Sequence, residues 1–120
     1  MKVLIVESNS DVGLMWSRHL QRMGLKVEMA LGESEAVEAL ENDDINVIVM
    51  DVVLDQGSAF AVADYASYRQ PNTKIIFVTS TTFFSDGSIF SHASNACAFL
   101  QVETPPDDLA AMVEHYVRTA

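Results

Sequence analysis

Thiol chemistry is nearly absent from this chain of 120 residues, whose only cysteine is Cys97. An internal disulfide is excluded, which suits a reducing compartment, and the apolar run around Cys97 reads it as a buried small hydrophobe rather than a nucleophile. Basic residues are scarce as well. Seven Lys and Arg stand against seventeen Asp and Glu, a net charge of −10. Such a chain repels nucleic acid and anionic membrane at long range and favours cations or basic partners. Long apolar runs are missing: Met-Lys-Val-Leu-Ile-Val extends only to Glu7, short of a signal sequence or a membrane span. A cytoplasmic protein that binds neither DNA nor membrane directly is therefore expected. No Gly/Ser-rich linker, internal repeat or Gly-rich phosphate loop interrupts the sequence. His19, His92 and His115 lie scattered without the spacing of metal ligands.

The chain does have apolar residues, at 49%, enough for one domain over 1–120 with a real core and too few residues for two. Strand-length apolar runs at 3–7, 25–30, 45–51, 75–79 and 98–102 alternate with stretches of helical period. Val12, Met15, Trp16, His19, Leu20 and Met23 mark a first helix, with Ser10 as its N-cap and Gly24 as its C′ residue. A helix near 33–42 turns Ala36, Val37 and Leu40 inward. Another near 59–69 buries Phe60, Ala63 and Ala66 and stops before Pro71. Segment 81–92 is poor in helix formers and predicts a short or mobile helix. In the last helix, Thr104 caps, Pro105 occupies the first turn, and Asp107 and Asp108 complement the dipole. Leu109, Met112, Val113 and Tyr116 form its apolar stripe.

Strands and helices alternating at this length imply a parallel sheet with helices on both faces, a doubly wound (βα)5 arrangement. Functional sites in such sheets lie beyond the carboxyl ends of the strands, where the winding reverses. Glu7, Asp51, Thr79 and Val102 all fall at that edge.

Taken together, Val-Ile-Val-Met-Asp51-Val-Val-Leu, Phe-Val-Thr79-Ser and Ala-Cys-Ala-Phe99-Leu resemble the receiver domain of bacterial two-component response regulators, over the whole chain. The resemblance implies a flavodoxin-like fold with Asp51 as phosphoacceptor, Thr79 as switch residue and Phe99 as aromatic switch. It further implies a magnesium ion held by Glu7, Asp51 and the Val53 carbonyl. A histidine kinase or phosphotransfer protein would be the donor, and an unknown downstream protein the target. Departures from the pattern concentrate at the site. The family's acidic pair reads Glu7-Ser8, which removes the usual direct metal ligand and implies weak or absent magnesium binding. Val102 stands where the family has a Lys and Glu103 where it often has Pro, while Asp55 adds a carboxylate.

Lys2, Lys26, Lys74, Arg22, Arg69 and Arg118 all belong at the opposite edge of the sheet, with Arg18 midway along a helix. No cation therefore replaces the missing Lys, whereas Glu7, Asp51, Asp55, Glu103, Asp107 and Asp108 are candidates for the carboxylate edge. Phe83, Phe84, Phe90 and Phe99 fall in the region that the family uses for output, a candidate surface for a partner or a homodimer. Two functions remain open: a stand-alone phosphorylatable receiver signalling through protein contacts, and a pseudo-receiver acting as an interaction or dimerisation module. An enzyme is disfavoured, because Asp51 and Asp55 are too far apart for the Asp-x-Asp nucleophile pattern of haloacid-dehalogenase-like phosphatases.

Overall fold

Central strands with no polar residue on either face can persist only when helices cover both sides. In the computed structural model, which describes residues 1–79 and 95–118, this is the arrangement found. The elements are β1 (Lys2–Val6), α1 (Ser10–Arg22), β2 (Lys26–Ala30), α2 (Glu33–Asn42), β3 (Val47–Asp51), α3 (Ala59–Arg69), β4 (Lys74–Thr79) and β5 (Ala96–Gln101). A last helix, α4, runs over Pro106–Arg118. All strand pairs are parallel, in the order β2-β1-β3-β4-β5.

The period-two alternation of the strands divides the core into two layers. Leu4, Val6, Ile48, Met50, Ile75 and Phe77 face α2 and α3, which contribute Ala36, Leu40, Val62, Ala63 and Ala66. Val3, Ile5, Val47, Val49, Ile76 and Val78 face the other way, against Trp16 and Leu20 of α1 and Leu109, Val113 and Val117 of α4. The small residues of α2 and α3 let both helices lie close over one half of the sheet. Trp16 fills the opposite layer.

Helix boundaries follow cap chemistry, and two differ from expectation. Ser10 is the first residue of α1, and the cap is Asn9, whose side-chain oxygen accepts from the amides of Asp11 (3.0 Å) and Val12 (3.3 Å). The carboxamide reaches two orphan donors at once. At the other end of α1, Gly24 has φ +82 and closes a Schellman motif, its amide donating to the Gln21 carbonyl and that of Leu25 to Leu20. Met15 and Met23 are exposed rather than inward. The core-facing positions are instead Gly13, Trp16, Ser17 and Leu20. A Cβ at Gly13 would lie 3.0 Å from the Met29 methyl, so α1 packs closely over β2 at this point.

The last helix starts one residue later than its signals suggest. The Pro105 carbonyl accepts from Asp108 and Leu109, and Pro106 takes the first helical position, where a missing N–H costs nothing. The fifth strand starts two residues early, at Ala96, and its register shifts against β4 between Ile75 and Ile76, which leaves Cys97 as the extra residue. Cys97 is half-buried against the α1/α4 layer, and burial pushes its thiol up to about 11, consistent with a packing role. The helix expected near 81–92 lies outside the described residues.

Candidate functional site

The strand order reverses between β1 and β3, and the carboxyl ends of these two strands place Glu7 and Asp51 beside each other. Val6 is paired with Met50, so the next residue of each strand stands at the same level. Glu7 is tied to β2 through its amide and the Ala30 carbonyl (3.0 Å). Thr79 ends β4 opposite Gln101, and its carbonyl accepts from the Val102 amide at 2.8 Å. Asp51, Thr79 and Val102 thus come from the ends of three neighbouring strands at one edge of the sheet.

Glu7 is only 4% exposed. Burial is the main cause that raises its pKa from 4.5 to about 7, followed by the hydrogen bond and the negative charge of Asp51; the amides of Asn9 and Ser8 pull the other way. The Glu7 carboxyl therefore keeps its proton well above the usual carboxylate range, which limits the negative charge at this buried end of the sheet. Asp51 also accepts from the Val53 amide at 3.0 Å, a short turn that holds the carboxylate at the sheet edge. The donor set suits a hard cation in chemistry, since magnesium commonly takes one or two carboxylates and keeps several waters. Glu7 and Asp51 would be its carboxylates and Val53 its backbone oxygen. No third acidic side chain joins them among the described residues.

The larger acidic cluster expected from the sequence does not assemble. Asp55 meets this region through its backbone amide, which donates to the Ser8 hydroxyl at 2.8 Å. Glu103 is exposed, and Asp107 leans toward His19 of α1, with Nε2 3.6 Å from its carboxylate. None of the ion pairs among the described residues involves Glu7 or Asp51. Lys2 pairs with Glu28 and Asp43, and Arg69 donates to the Glu41 carbonyl, both at the far edge.

Val102 is half-buried, packs against the α1/α4 layer, and shares an apolar recess with Trp16, Val78, Leu100 and Leu109. Thr79 is buried, 1% exposed, at the end of β4. Phe99 pairs in register with Phe77 and packs against the α2/α3 layer, half-buried. Most of its ring therefore serves the core, which limits the surface it offers to a second copy. Phe83, Phe84, Phe90 and His92 lie outside the described residues.

This set of strand-end residues on a five-stranded parallel sheet coincides with a sequence match: the family model for the response regulator receiver domain matches residues 3–114. The chain belongs to the receiver-domain family.

Receiver domains are signalling modules rather than typical enzymes; they bind Mg2+ and interact with histidine kinases or phosphotransfer proteins and with downstream effectors. One similar sequence is the response regulator protein PilR of Pseudomonas aeruginosa, 29% identical over 113 residues. That match covers 94% of this chain and 24% of PilR, so the chain spans about a quarter of that relative's length. Among solved structures, a CheY-like receiver domain from Methanospirillum hungatei superposes with a TM-score of 0.88 at 24% identity, covering 98% of this chain and 94% of that one. The receiver domain of a putative Luxo repressor from Vibrio parahaemolyticus gives 0.87 at 18% identity, covering 98% and 90%. A response regulator from Burkholderia pseudomallei, solved with a phosphorylated aspartic acid, a calcium ion and citrate, gives 0.80 at 18%, covering 95% and 71%. At these identities the structures establish the fold. No helix among the described residues is long and apolar enough to cross a membrane.

Sequence reasoning treated Ser8 only as a lost acid in this receiver. Its hydroxyl in fact donates to the Leu31 carbonyl (3.1 Å) while accepting from Asp55. Gln56 and Glu33 were missed altogether. Gln56 accepts from the amides of Glu33 and Ser34 and donates to the Ser34 hydroxyl, while the Glu33 carboxylate accepts from the Ser58 amide. The available signal was Gly57, which sits at φ +84 directly against Glu33, a place that no side chain can occupy.

Proposed function

We propose that this chain is an atypical receiver in which Asp51 accepts a phosphoryl group from a histidine kinase or phosphotransfer protein, and which then signals by contact with another protein. An Asp51 carboxylate oxygen attacks the phosphorus, the bond from phosphorus to the donor imidazole breaks, and an acyl phosphate results. The observation that carries the reading is the placement of Asp51 at the carboxyl end of β3, next to buried Glu7 and one strand from Thr79. Bound Mg2+ would neutralise charge on the acceptor and on the incoming phosphoryl oxygens. Glu7 and Asp51, with the Val53 carbonyl, are the residues that would hold it. The chain's own contribution is positioning. The Val53 amide fixes one oxygen of Asp51, and the Thr79 hydroxyl is assigned to a phosphoryl oxygen, with Phe99 responding by a change of rotamer. The phosphorylated aspartic acid in the Burkholderia pseudomallei relative supports this assignment. Without the Lys, transfer is expected to be about 10²- to 10³-fold slower than with one preorganised charge-stabilising donor more. We place this exchange in the cytoplasm, where a lone reduced cysteine is ordinary.

A second reading, a pseudo-receiver that works by binding alone, is favoured by one specific observation: Val102 is packed with Trp16 and Leu109 where a phosphate-binding cation would stand. Intact-mass spectrometry after incubation with phosphoramidate, with and without Mg2+, separates the two. A Mg2+-dependent gain of one phosphoryl group that disappears in Asp51→Asn is the expected result. Unmodified protein under all conditions would establish the pseudo-receiver.

A further inference from the structure

We infer that Ser8 is a positioning residue whose hydroxyl cross-links the loop after β1 and the loop after β3 without the help of a metal ion. This deepens the receiver reading given above and rests on it. The Ser8 hydroxyl accepts from the Asp55 amide at 2.8 Å and donates to the Leu31 carbonyl at 3.1 Å, so one side chain ties the ends of β1, β2 and β3.

The donor and acceptor roles explain why a carboxylate does not serve here. An ionised Asp at this position has no proton for the Leu31 carbonyl and would face that oxygen with like charge. A hydroxyl satisfies both neighbours. The tie does not act alone, since residues immediately after Asp55 are clasped to the start of α2. The Gln56 carbonyl accepts from the Glu33 amide at 3.0 Å, and the Ser58 amide donates to the Glu33 carboxylate at 2.8 Å. Gly32 and Gly57 permit the approach: a Cβ on Gly32 would lie 2.8 Å from the Gln56 carbonyl oxygen, and Gly57 abuts Glu33. The loop that carries Val53 and follows Asp51 is thus fastened before any ion arrives. Magnesium then has little ordering left to do in that loop.

Amide hydrogen exchange followed by NMR, with and without MgCl2, tests this on the full chain and needs no phosphoryl group. In the wild type the Asp55 amide should be protected and unchanged by Mg2+. In Ser8→Ala its exchange should rise about 2- to 10-fold, the factor for one hydrogen bond of ordinary net strength, and Ser8→Thr should restore it. In Ser8→Val, which keeps the branched bulk of Thr without its hydroxyl, protection should be lost as in Ser8→Ala while Ser8→Thr retains it, a split that follows the hydroxyl and not the packing. An unprotected Asp55 amide in the wild type, Mg2+-dependent protection there, or unchanged exchange in both Ser8→Ala and Ser8→Val would each overturn the inference. Should the alanine variant not fold, the comparison of wild type, Ser8→Thr and Ser8→Val decides it. Failure of the chain to accept phosphate in the mass experiment leaves these exchange rates readable, so the two ideas fail separately.

Discussion

Replacing Glu7 by Gln should make the folded state more stable at neutral and alkaline pH and remove a pH dependence that the wild type carries. The side chain is almost wholly buried and its pKa rises from 4.5 to about 7 on folding, through burial first and then through Asp51. Below pH 4.5 both folded and unfolded chains hold the proton, and Glu7 contributes no penalty. Between 4.5 and 7 the unfolded chain ionises first, so stability falls as pH rises. Above 7 both states are ionised and the full cost is present. At 1.36 kcal/mol per unit the span is worth about 3 kcal/mol. Gln keeps the shape and can donate to Asp51 at every pH. Urea denaturation followed by the fluorescence of Trp16, which is 2% exposed, would be run from pH 5 to 8 in chelator. The difference between variant and wild type should grow by about 2 kcal/mol over that range and level off above 7. The surface pair of Lys2 and Asp43 acts in the opposite direction, since Asp43 is held below its ordinary value by Lys2, but it is present in both proteins and cancels. A difference that stays flat from pH 5 to 8 would refute the account of a buried Glu7 with a raised pKa.

Four further outcomes follow from the same geometry. Magnesium affinity, measured by calorimetry, should fall as pH drops below 7, because the ion must displace the proton held by Glu7; pH-independent affinity would count against these ligands. Val102→Lys should accelerate phosphorylation from phosphoramidate, by up to about 10²-fold if the new ammonium reaches the site. It should also cost about 1 kcal/mol for the lost packing beside Trp16, with rates and urea midpoints measured together. Asn9→Ala should lower stability by about 1 kcal/mol through the loss of the α1 cap, read as a shift in urea midpoint. Gly57→Ala should cost more, about 1–3 kcal/mol, because φ +84 is strained for alanine and Glu33 occupies the space of the methyl. Retention of full stability would show that the loop moves freely.

The alternation of apolar strand runs with helical stretches was legible because each element repeats its own period, and the two faces of Leu4-Ile5-Val6 and Ile48-Val49-Met50 are equally apolar. That double-sided burial requires helices above and below, so composition and order already determine a parallel, doubly wound sheet. Asp51 and Thr79 were legible for the same reason: a polar residue directly after an apolar strand falls at the carboxyl edge. Met15 and Met23 marked the helical period of α1 correctly, but that spacing spans a wide arc, and only packing decided that Trp16 and Leu20 are buried while the two methionines are exposed. The acidic cluster misled because sequence counts carboxylates without directions: among the described residues no third acid joins Glu7 and Asp51, and Asp107 lies beside His19 of α1.

The sequence alone determined the sheet, its winding and the edge at which Glu7, Asp51 and Thr79 stand, since each depends on local pattern and on which end of a strand a residue occupies. Tertiary structure alone decided that Glu7 is buried beside Asp51, that Val102 belongs to the apolar layer, and that Ser8 is a tie rather than a vacancy. Those three facts depend on distances between residues far apart in the chain, such as Ser8 to Asp55 and Gln56 to Glu33. Hydrogen bonds act over about 3 Å, and no periodicity in a sequence specifies which loop atoms the folded sheet will bring that close.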